Sequence, residues 1–163
     1  MIISQRNLIR FFKKSLAQPL YAINALRMKL ASLFSYHFFN GYSSYPETIS
    51  LFLTYNCNLR CRMCGYWGEC GSLGRQSPEF IKKELSLTEL THLIDEVSSF
   101  KPNITLFGGE PLLYKYWFDL VVYIKKMGLR CNIITNGTFL KDKAIEVLNS
   151  GLDEIIFSLE GPR

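Results

Sequence analysis

Apolar runs alternate with amphipathic stretches from residue 48 onward, a pattern that predicts strands and helices in turn. Short runs rich in β-branched or aromatic residues predict strands at 48–55, 103–107, 131–135 and 154–159. Apolar residues spaced three or four positions apart predict one helix after Ser86 and further helices at 116–127 and 140–149. The order β-α-β-α-β-α-β predicts a parallel sheet with right-handed helical crossovers.

Local signals mark the ends of these elements. Ser86-Leu87-Thr88-Glu89 is a capping-box sequence, and Gly128 and Gly151 are natural helix C-caps. Residues 65–84 are rich in Gly, Ser and charge, which predicts a long surface loop. Four strands cannot close a barrel and would leave an open sheet edge. We therefore expect an α/β fold, a partial (β/α) barrel of about four parallel strands truncated before closure, as the N-terminal part of a longer protein.

The first 46 residues differ from the rest in pattern and charge. Residues 3–35 predict two helical stretches interrupted by Pro19, and residues 40–46 predict a turn-rich linker. The segment carries no acid, and its basic residues are Arg6, Arg10, Lys13, Lys14, Arg27 and Lys29. We expect a basic helical extension at 1–46 and a domain at 47–163. The extension fits packing against the domain or a partner, peripheral contact with an anionic membrane, or a transit peptide.

Composition narrows the class of protein. The chain of 163 residues is 48% apolar, which allows one globular domain with a sizeable core. Its five cysteines are an odd number without a secretory signal, so a reducing cytoplasm fits better than a disulfide framework. No apolar run is long enough to span a bilayer. Base-stacking aromatics interleaved on a basic sheet are lacking, so we expect no nucleic-acid partner.

Three cysteines dominate the candidate chemistry. Cys57, Cys61 and Cys64 have the spacing CxxxCxxC and follow the first predicted strand directly. Three nearby thiolates suit either an iron–sulfur cluster or zinc. On a four-iron cluster they would leave one iron open to a substrate or cofactor. Cys70 could instead complete a zinc site of four thiolates.

The other unusual motifs also fall at strand ends. Gly108-Gly109-Glu110-Pro111 follows the second strand, Asn136-Gly137 the third, and Ser158 to Gly161 close the fourth. Active sites of parallel α/β folds gather at this edge, so the coincidence favours iron–sulfur chemistry over zinc. The glycine pair would let a ligand approach the backbone, and a glutamate suits a ligand ammonium. The Asn136 and Ser158 side chains can hydrogen-bond a ligand carboxylate or ribose.

With these motifs assembled, residues 47–163 resemble the radical S-adenosylmethionine (SAM) superfamily. The motifs that carry the resemblance are CNLRCRMC (57–64), FGGEPLL (107–113), ITNGTFL (134–140) and FSLEGP (157–162). The chain looks most like the branch that contains peptide-modifying maturases and the molybdopterin-type cyclase. The resemblance implies a cytoplasmic enzyme that takes electrons from a donor such as flavodoxin or ferredoxin.

The resemblance also implies a mechanism. Cys57, Cys61 and Cys64 would bind a [4Fe-4S] cluster whose open iron chelates the amino and carboxylate groups of SAM. The reduced cluster would cleave SAM to methionine and a 5′-deoxyadenosyl radical. That radical would abstract hydrogen from an unidentified substrate, in peptide maturation or cofactor biosynthesis.

The resemblance assigns the SAM contacts residue by residue. Glu110, with the backbone of Gly108 and Gly109, would hold the SAM ammonium. Ser158 would contact the carboxylate or ribose, Asn136 would line the pocket, and the backbone of Met63 would meet the adenine. Two positions depart from the family pattern. The position of Met63 is commonly aromatic, and Glu160 stands where an aspartate is frequent.

Two other functions stay open from the sequence. One is a non-catalytic zinc or iron–sulfur binding module that uses Cys57, Cys61 and Cys64, with Cys70 as the fourth ligand in the zinc case. The other is a membrane-surface enzyme acting on a lipid, suggested by the basic helices within residues 1–46.

Overall fold

The computed structural model describes residues 16, 19–40 and 44–159. Contacts between residues divide the chain into two compact units, Met1–Glu47 and Thr48–Arg163. The first helical stretch predicted before Pro19 lies outside the described residues, apart from residue 16, and so do Glu160, Gly161 and Pro162 at the end of the fourth motif.

Within its described residues, the first unit contains the long helix α1 (Pro19–Phe38). Pro19 opens this helix, where a missing N–H costs nothing because the first turn leaves its amides unpaired. The helix continues past the predicted end at residue 35. Its apolar side chains are more than half exposed at Ile23, Leu26, Leu30, Leu33 and Phe34. Among the described residues, no helix combines the length and apolarity needed to cross a bilayer.

The second unit is built on a four-stranded parallel sheet. Its strands are β1 (Thr48–Phe52), β2 (Asn103–Phe107), β3 (Arg130–Thr135) and β4 (Glu154–Phe157). They lie in the order β1-β2-β3-β4, so each strand pairs with its neighbour along the chain. Pairing is parallel throughout, with Ile104 opposite both Ile49 and Cys131. The predicted α/β fold with four parallel strands is confirmed, and the sheet is open.

Helices and short turns connect the strands. The helices are α2 (Pro78–Ile81), α3 (Leu87–Val97), α4 (Trp117–Lys126) and α5 (Ala144–Ser150), with 3₁₀ turns at Ser72–Arg75, Ser98–Phe100 and Pro111–Leu113. The capping box is present, because Ser86 N–H donates to Glu89 Oε2 at 2.8 Å and Glu89 N–H donates to Ser86 Oγ at 3.3 Å. Gly128 and Gly151 follow helix ends with φ of 70° and 80°, as C-cap glycines do.

The core lies between one face of the sheet and the crossover helices. Alternate residues along the strands point to this face and pack against the inner faces of α3 and α4. The buried residues on and just after the strands include Leu51, Leu53, Ile104, Leu106, Cys131 and Ile133, and those on the helices include Leu90, Ile94, Leu120 and Ile124. Burial, followed by the nearby Asp153 carboxylate, raises the pKa of the Cys131 thiol to about 12. Cys131 is therefore a packing residue. The loops that carry the other motif residues follow the carboxyl ends of the strands.

Candidate functional site

The loops after β1 and β2 lie side by side at this edge of the sheet. Gly109 N–H donates to Thr54 O at 2.7 Å, and Glu110 N–H donates to Asn56 O at 2.8 Å. A Cβ on Gly108 would lie 2.6 Å from Thr54 O, and one on Gly109 would lie 2.3 Å from Asn56 O. The two glycines therefore allow the backbone of the loop after β1 to approach closely. From the sequence we expected them to allow a ligand to approach the backbone.

The three cysteines of the motif occupy the loop that leaves β1. All are free thiols, half-buried at Cys57 and Cys64 and exposed at Cys61. Leu59 N–H donates to Cys57 Sγ at 3.4 Å, and Trp67 N–H donates to Cys64 Sγ at 3.4 Å. Such N–H donors are the contacts that tune cysteine ligands of iron–sulfur clusters.

The donor set of the cysteine loop can be compared with the needs of a single metal ion and of a cluster. Within the described residues, no three His, Cys, Asp or Glu side chains converge closely enough to hold one metal ion. The ligands of a cluster bind different iron atoms, so they need not converge on one point. Cys70 itself is exposed. Three accessible thiols with two backbone donors on their sulfurs are a suitable ligand set for an iron–sulfur cluster.

The segment after the cysteines folds against them and is not only the long surface loop predicted for 65–84. Gly68 N–H donates to Cys64 O at 2.8 Å, and Leu73, which is buried, donates its N–H to Tyr66 O at 3.0 Å. A Cβ on Gly68 would lie 2.3 Å from Arg62 O, so this turn requires glycine. The prediction missed the 3₁₀ turn and α2 because these elements are too short to show a helical period of apolar residues.

Trp67 and Arg60 brace the cysteine loop, and sequence reasoning missed both. Trp67 Nε1–H donates to Tyr55 O at 2.7 Å, which ties the segment to the end of β1. The Arg60 guanidinium lies 4.0 Å from the centroid of the Trp67 ring and donates to Cys57 O at 2.6 Å. Cation–π contact and hydrogen bonding together hold the backbone of Cys57. The sequence signal for this contact was the tryptophan that follows Cys64, the last cysteine of the motif, by three residues.

Glu110 lies inside the protein, at 0% exposure. Its Oε1 accepts hydrogen bonds from Leu112 N–H at 3.2 Å and from Thr135 Oγ1–H at 2.7 Å, and its Oε2 accepts from Asn136 N–H at 2.9 Å. The carboxylate thus joins the loop after β2 to the loop after β3. A carboxylate has about four acceptor positions, so Oε2 has lone-pair capacity beyond the bond from the Asn136 N–H. The contact of Glu110 with a SAM ammonium stays a prediction.

The remaining predicted residues lie along the same edge. Asn136 Nδ2 approaches Cys57 Sγ at 3.9 Å, so the loops after β1 and β3 meet. Ser158 N–H donates to Thr135 O at 3.0 Å, which carries the pairing of β3 and β4 one residue further. Met63 lies on the outer part of the cysteine loop and is 70% exposed. Cys57, Glu110 and Asn136 are therefore brought together, with Ser158 next to them.

An aromatic cavity flanks the cysteine loop. It measures about 520 Å³, and its lining includes Phe52, Tyr55, Tyr66, Phe80, Lys83, Glu84 and Phe107. Glu84 Oε1 accepts from Thr54 Oγ1–H at 2.5 Å and from Asn56 Nδ2–H at 3.3 Å, which fixes one wall of the cavity to the end of β1. Sequence reasoning missed this cavity because its walls come from four separate segments of the chain.

The geometry agrees with a comparison to known families. The model of the radical SAM superfamily matches residues 51–163. The chain belongs to the radical SAM superfamily. The resemblance seen in the sequence motifs is thereby confirmed, and the cofactors of this family are a [4Fe-4S] cluster and SAM.

Radical SAM relatives cover the same part of the chain. The chain is 36% identical over 118 residues to the AdoMet-dependent heme synthase of Methanosarcina barkeri, covering 71% of this chain and 32% of the relative. It is 33% identical over 115 residues to the probable GTP 3′,8-cyclase of Saccharolobus islandicus, covering 69% and 34%. These relatives are enzymes, and the chain spans about a third of their length.

A solved crystal structure shares the fold. Streptococcus suis SuiB, in a crystal structure bound to the precursor peptide SuiA, aligns with a TM-score of 0.59 and 17% identity. The alignment covers 88% of this chain and 30% of SuiB. At this identity the likeness speaks for the fold alone.

Proposed function

We propose that this chain is the cluster- and SAM-binding part of a radical SAM enzyme, with residues 47–163 as the N-terminal part of its core domain. When bound, the reduced cluster and SAM supply a 5′-deoxyadenosyl radical, formed together with methionine, that abstracts hydrogen from the substrate. The single observation that carries the proposal is the cysteine loop: three free thiols at the carboxyl end of β1, with N–H donors on Cys57 and Cys64.

The chain's own residues have separate tasks in this proposal. Cys57, Cys61 and Cys64 hold the cluster, and Trp67 and Arg60 keep their loop in shape. The exposure of Cys61 leaves the outer side of the loop accessible. The buried Glu110 fixes the loops around the ligand.

We assign the SAM contacts as the motifs imply. The Glu110 Oε2 atom has acceptor capacity left for the SAM ammonium, and the backbone of Gly108 and Gly109 runs beside it. Asn136 and Ser158 lie next along the edge, for the SAM pocket and for its carboxylate or ribose. The backbone of Met63 would meet the adenine.

The substrate class we propose is a precursor in cofactor biosynthesis or peptide maturation. The names of the relatives support this class, since they include a heme synthase, a GTP 3′,8-cyclase and a cofactor-modifying protein of Pyrococcus furiosus. The peptide alternative follows from the resemblance of the motifs to peptide-modifying maturases. A flavodoxin or ferredoxin would supply the electron, in the cytoplasm, where free cysteines are stable.

We further propose peripheral membrane contact by α1. This helix lacks acidic residues, carries Arg27 and Lys29, and exposes apolar side chains. Sedimentation with anionic vesicles tests the proposal. The full chain should bind, and replacement of Leu26, Leu30 and Leu33 by Ser should release it; equal binding by both proteins would disprove the contact.

Anaerobic reconstitution tests the cluster assignment. The wild-type chain should take up about four iron and four sulfide per protein, the content of a [4Fe-4S] cluster. Single Cys→Ser changes at 57, 61 or 64 should reduce this content strongly, while the matched Cys70→Ser control should retain it. Retention of iron by all three motif variants would exclude the proposed ligands.

A further inference from the structure

A closed ring of hydrogen bonds links the cysteine loop to the loop after β3. Asn58 Nδ2–H donates to Thr138 Oγ1 at 2.9 Å, and Thr138 Oγ1–H donates to Asn136 Oδ1 at 2.6 Å. Asn136 Nδ2–H then donates back to Asn58 Oδ1 at 3.0 Å. Every member of this Asn58–Thr138–Asn136 ring both donates and accepts a hydrogen bond.

The ring fixes which way the Asn136 amide points. Its Oδ1 accepts from the Thr138 N–H at 2.9 Å as well as from the Thr138 hydroxyl. A flipped amide would direct its NH₂ hydrogens at the Thr138 N–H, which can only donate, so the backbone donor decides the orientation. The Nδ2 side of Asn136 is therefore held toward the cysteine loop.

The backbone of Asn136 is held as well. Its N–H donates to the buried Glu110 carboxylate at 2.9 Å, and the neighbouring Gly137 N–H donates to Thr135 Oγ1 at 3.0 Å. Thr135 in turn donates its hydroxyl to Glu110. A buried carboxylate with three donors is a rigid anchor, because moving any one of them would leave a buried polar group unpaired.

This arrangement places the Asn136 Nδ2 atom near Cys57. Nδ2 lies 3.9 Å from Cys57 Sγ, a distance at which a sulfur acceptor still interacts. An amide NH₂ has two hydrogens, so it can serve Asn58 and Cys57 together. The Leu59 N–H already donates to the same sulfur. Cys57 Sγ thus has one backbone donor and one side-chain donor.

We propose that Asn136, oriented by Asn58 and Thr138, is a positioning residue that donates a hydrogen bond to the sulfur of Cys57. The inference rests on the proposed function, because Cys57 must be a cluster ligand. A donor on a ligand sulfur stabilises the more negative, reduced cluster and so raises its reduction potential. Outer partners that orient a ligand also slow the loss of the metal. This role differs from lining the SAM pocket, because the hydrogen bond to Cys57 does not require bound SAM.

Three variants of the full chain test the ring after anaerobic reconstitution without SAM. Thr138→Val keeps the shape of the side chain and removes the hydroxyl, whereas Thr138→Ser keeps the hydroxyl. Asn136→Asp keeps the oxygen, loses both N–H donors and adds a negative charge near the sulfur. Thr138 is exposed, so its replacement leaves the core unchanged. Circular dichroism checks the fold of each variant, and Asn136→Asp decides the matter should Thr138→Val fail to fold.

The readouts are the midpoint potential of the cluster, by dye-mediated titration, and the rate of iron release to a chelator. We expect Thr138→Val to shift the potential downward and to release iron several-fold faster, with a larger shift for Asn136→Asp. Thr138→Ser should restore both values to those of the wild type. Wild-type values in Thr138→Val and Asn136→Asp would overturn the inference alone. A wild-type chain that assembles no cluster would overturn the proposed function and this inference with it.

Discussion

The buried carboxylate of Glu110 has two possible roles, holding the loops together and binding SAM, and a substitution can separate them. Three donors of the protein itself bind it: the Leu112 N–H and the Thr135 hydroxyl on Oε1, and the Asn136 N–H on Oε2. If these bonds hold the loops together, a change at Glu110 lowers stability without SAM. If the side chain serves ligand binding alone, stability stays the same.

Glu110→Gln is the appropriate perturbation because it preserves size. The new NH₂ group must take the place of one oxygen, and in either orientation it faces a backbone N–H, of Leu112 or of Asn136. A buried donor left unpaired costs about 1–3 kcal/mol, and hydrogen bonds to a charge are about 1.5–3 kcal/mol each. We therefore expect the free energy of unfolding to fall by about 2–4 kcal/mol.

Urea unfolding of the cluster-free protein measures this difference, followed by fluorescence of Trp67 and Trp117. Glu146→Gln is the matched control, because Glu146 pairs with Lys143 at the surface and its loss should cost less than about 1 kcal/mol. A Glu110→Gln protein as stable as this control would refute the structural role of the buried carboxylate.

The remaining predictions concern single positions. Cys70→Ala should leave the iron content of the reconstituted protein unchanged, whereas loss of bound metal would favour the zinc alternative. Gly109→Ala should lower the free energy of unfolding by about 1–3 kcal/mol or more, because its Cβ would lie 2.3 Å from Asn56 O; Gly74→Ala meets nothing within 4 Å and should be neutral in the same urea assay. Burial raises the pKa of the Cys131 thiol to about 12, so this thiol should resist iodoacetamide at pH 8 in the folded cluster-free protein while the other cysteines react. Peptide mass spectrometry would show the difference. Rapid labelling of Cys131 would contradict its burial.

Local sequence patterns predicted the elements of the second unit closely. The second strand was predicted at 103–107 and is β2, with the same bounds. The capping box at Ser86 and the glycine C-caps were also correct, since these signals act over a few residues. The last helix was predicted from residue 140 but begins at Ala144. The preceding residues form turns, in which Leu140 N–H donates to Gly137 O and Lys143 N–H donates to Phe139 O.

The contacts within the site could not be read from the sequence. Asn58 and Asn136 are 78 positions apart, and only the pairing of the strands brings their loops together. The sequence indicated that Asn136 lies at a strand end but not that its amide reaches Cys57. The close approach of Asn56 to Gly109 likewise depends on the register of β1 and β2. Such contacts are decided by tertiary structure, for which single residues carry no local signal.

Electron paramagnetic resonance tests the central claim most directly, that Cys57, Cys61 and Cys64 hold a cluster with an iron open to SAM. The protein is reconstituted anaerobically, reduced with dithionite and measured with and without SAM. We expect a signal of the [4Fe-4S] type that changes when SAM is added. A cluster signal indifferent to SAM would contradict the open iron, and stoichiometric zinc with no paramagnetic cluster would contradict the assignment of the cysteine loop.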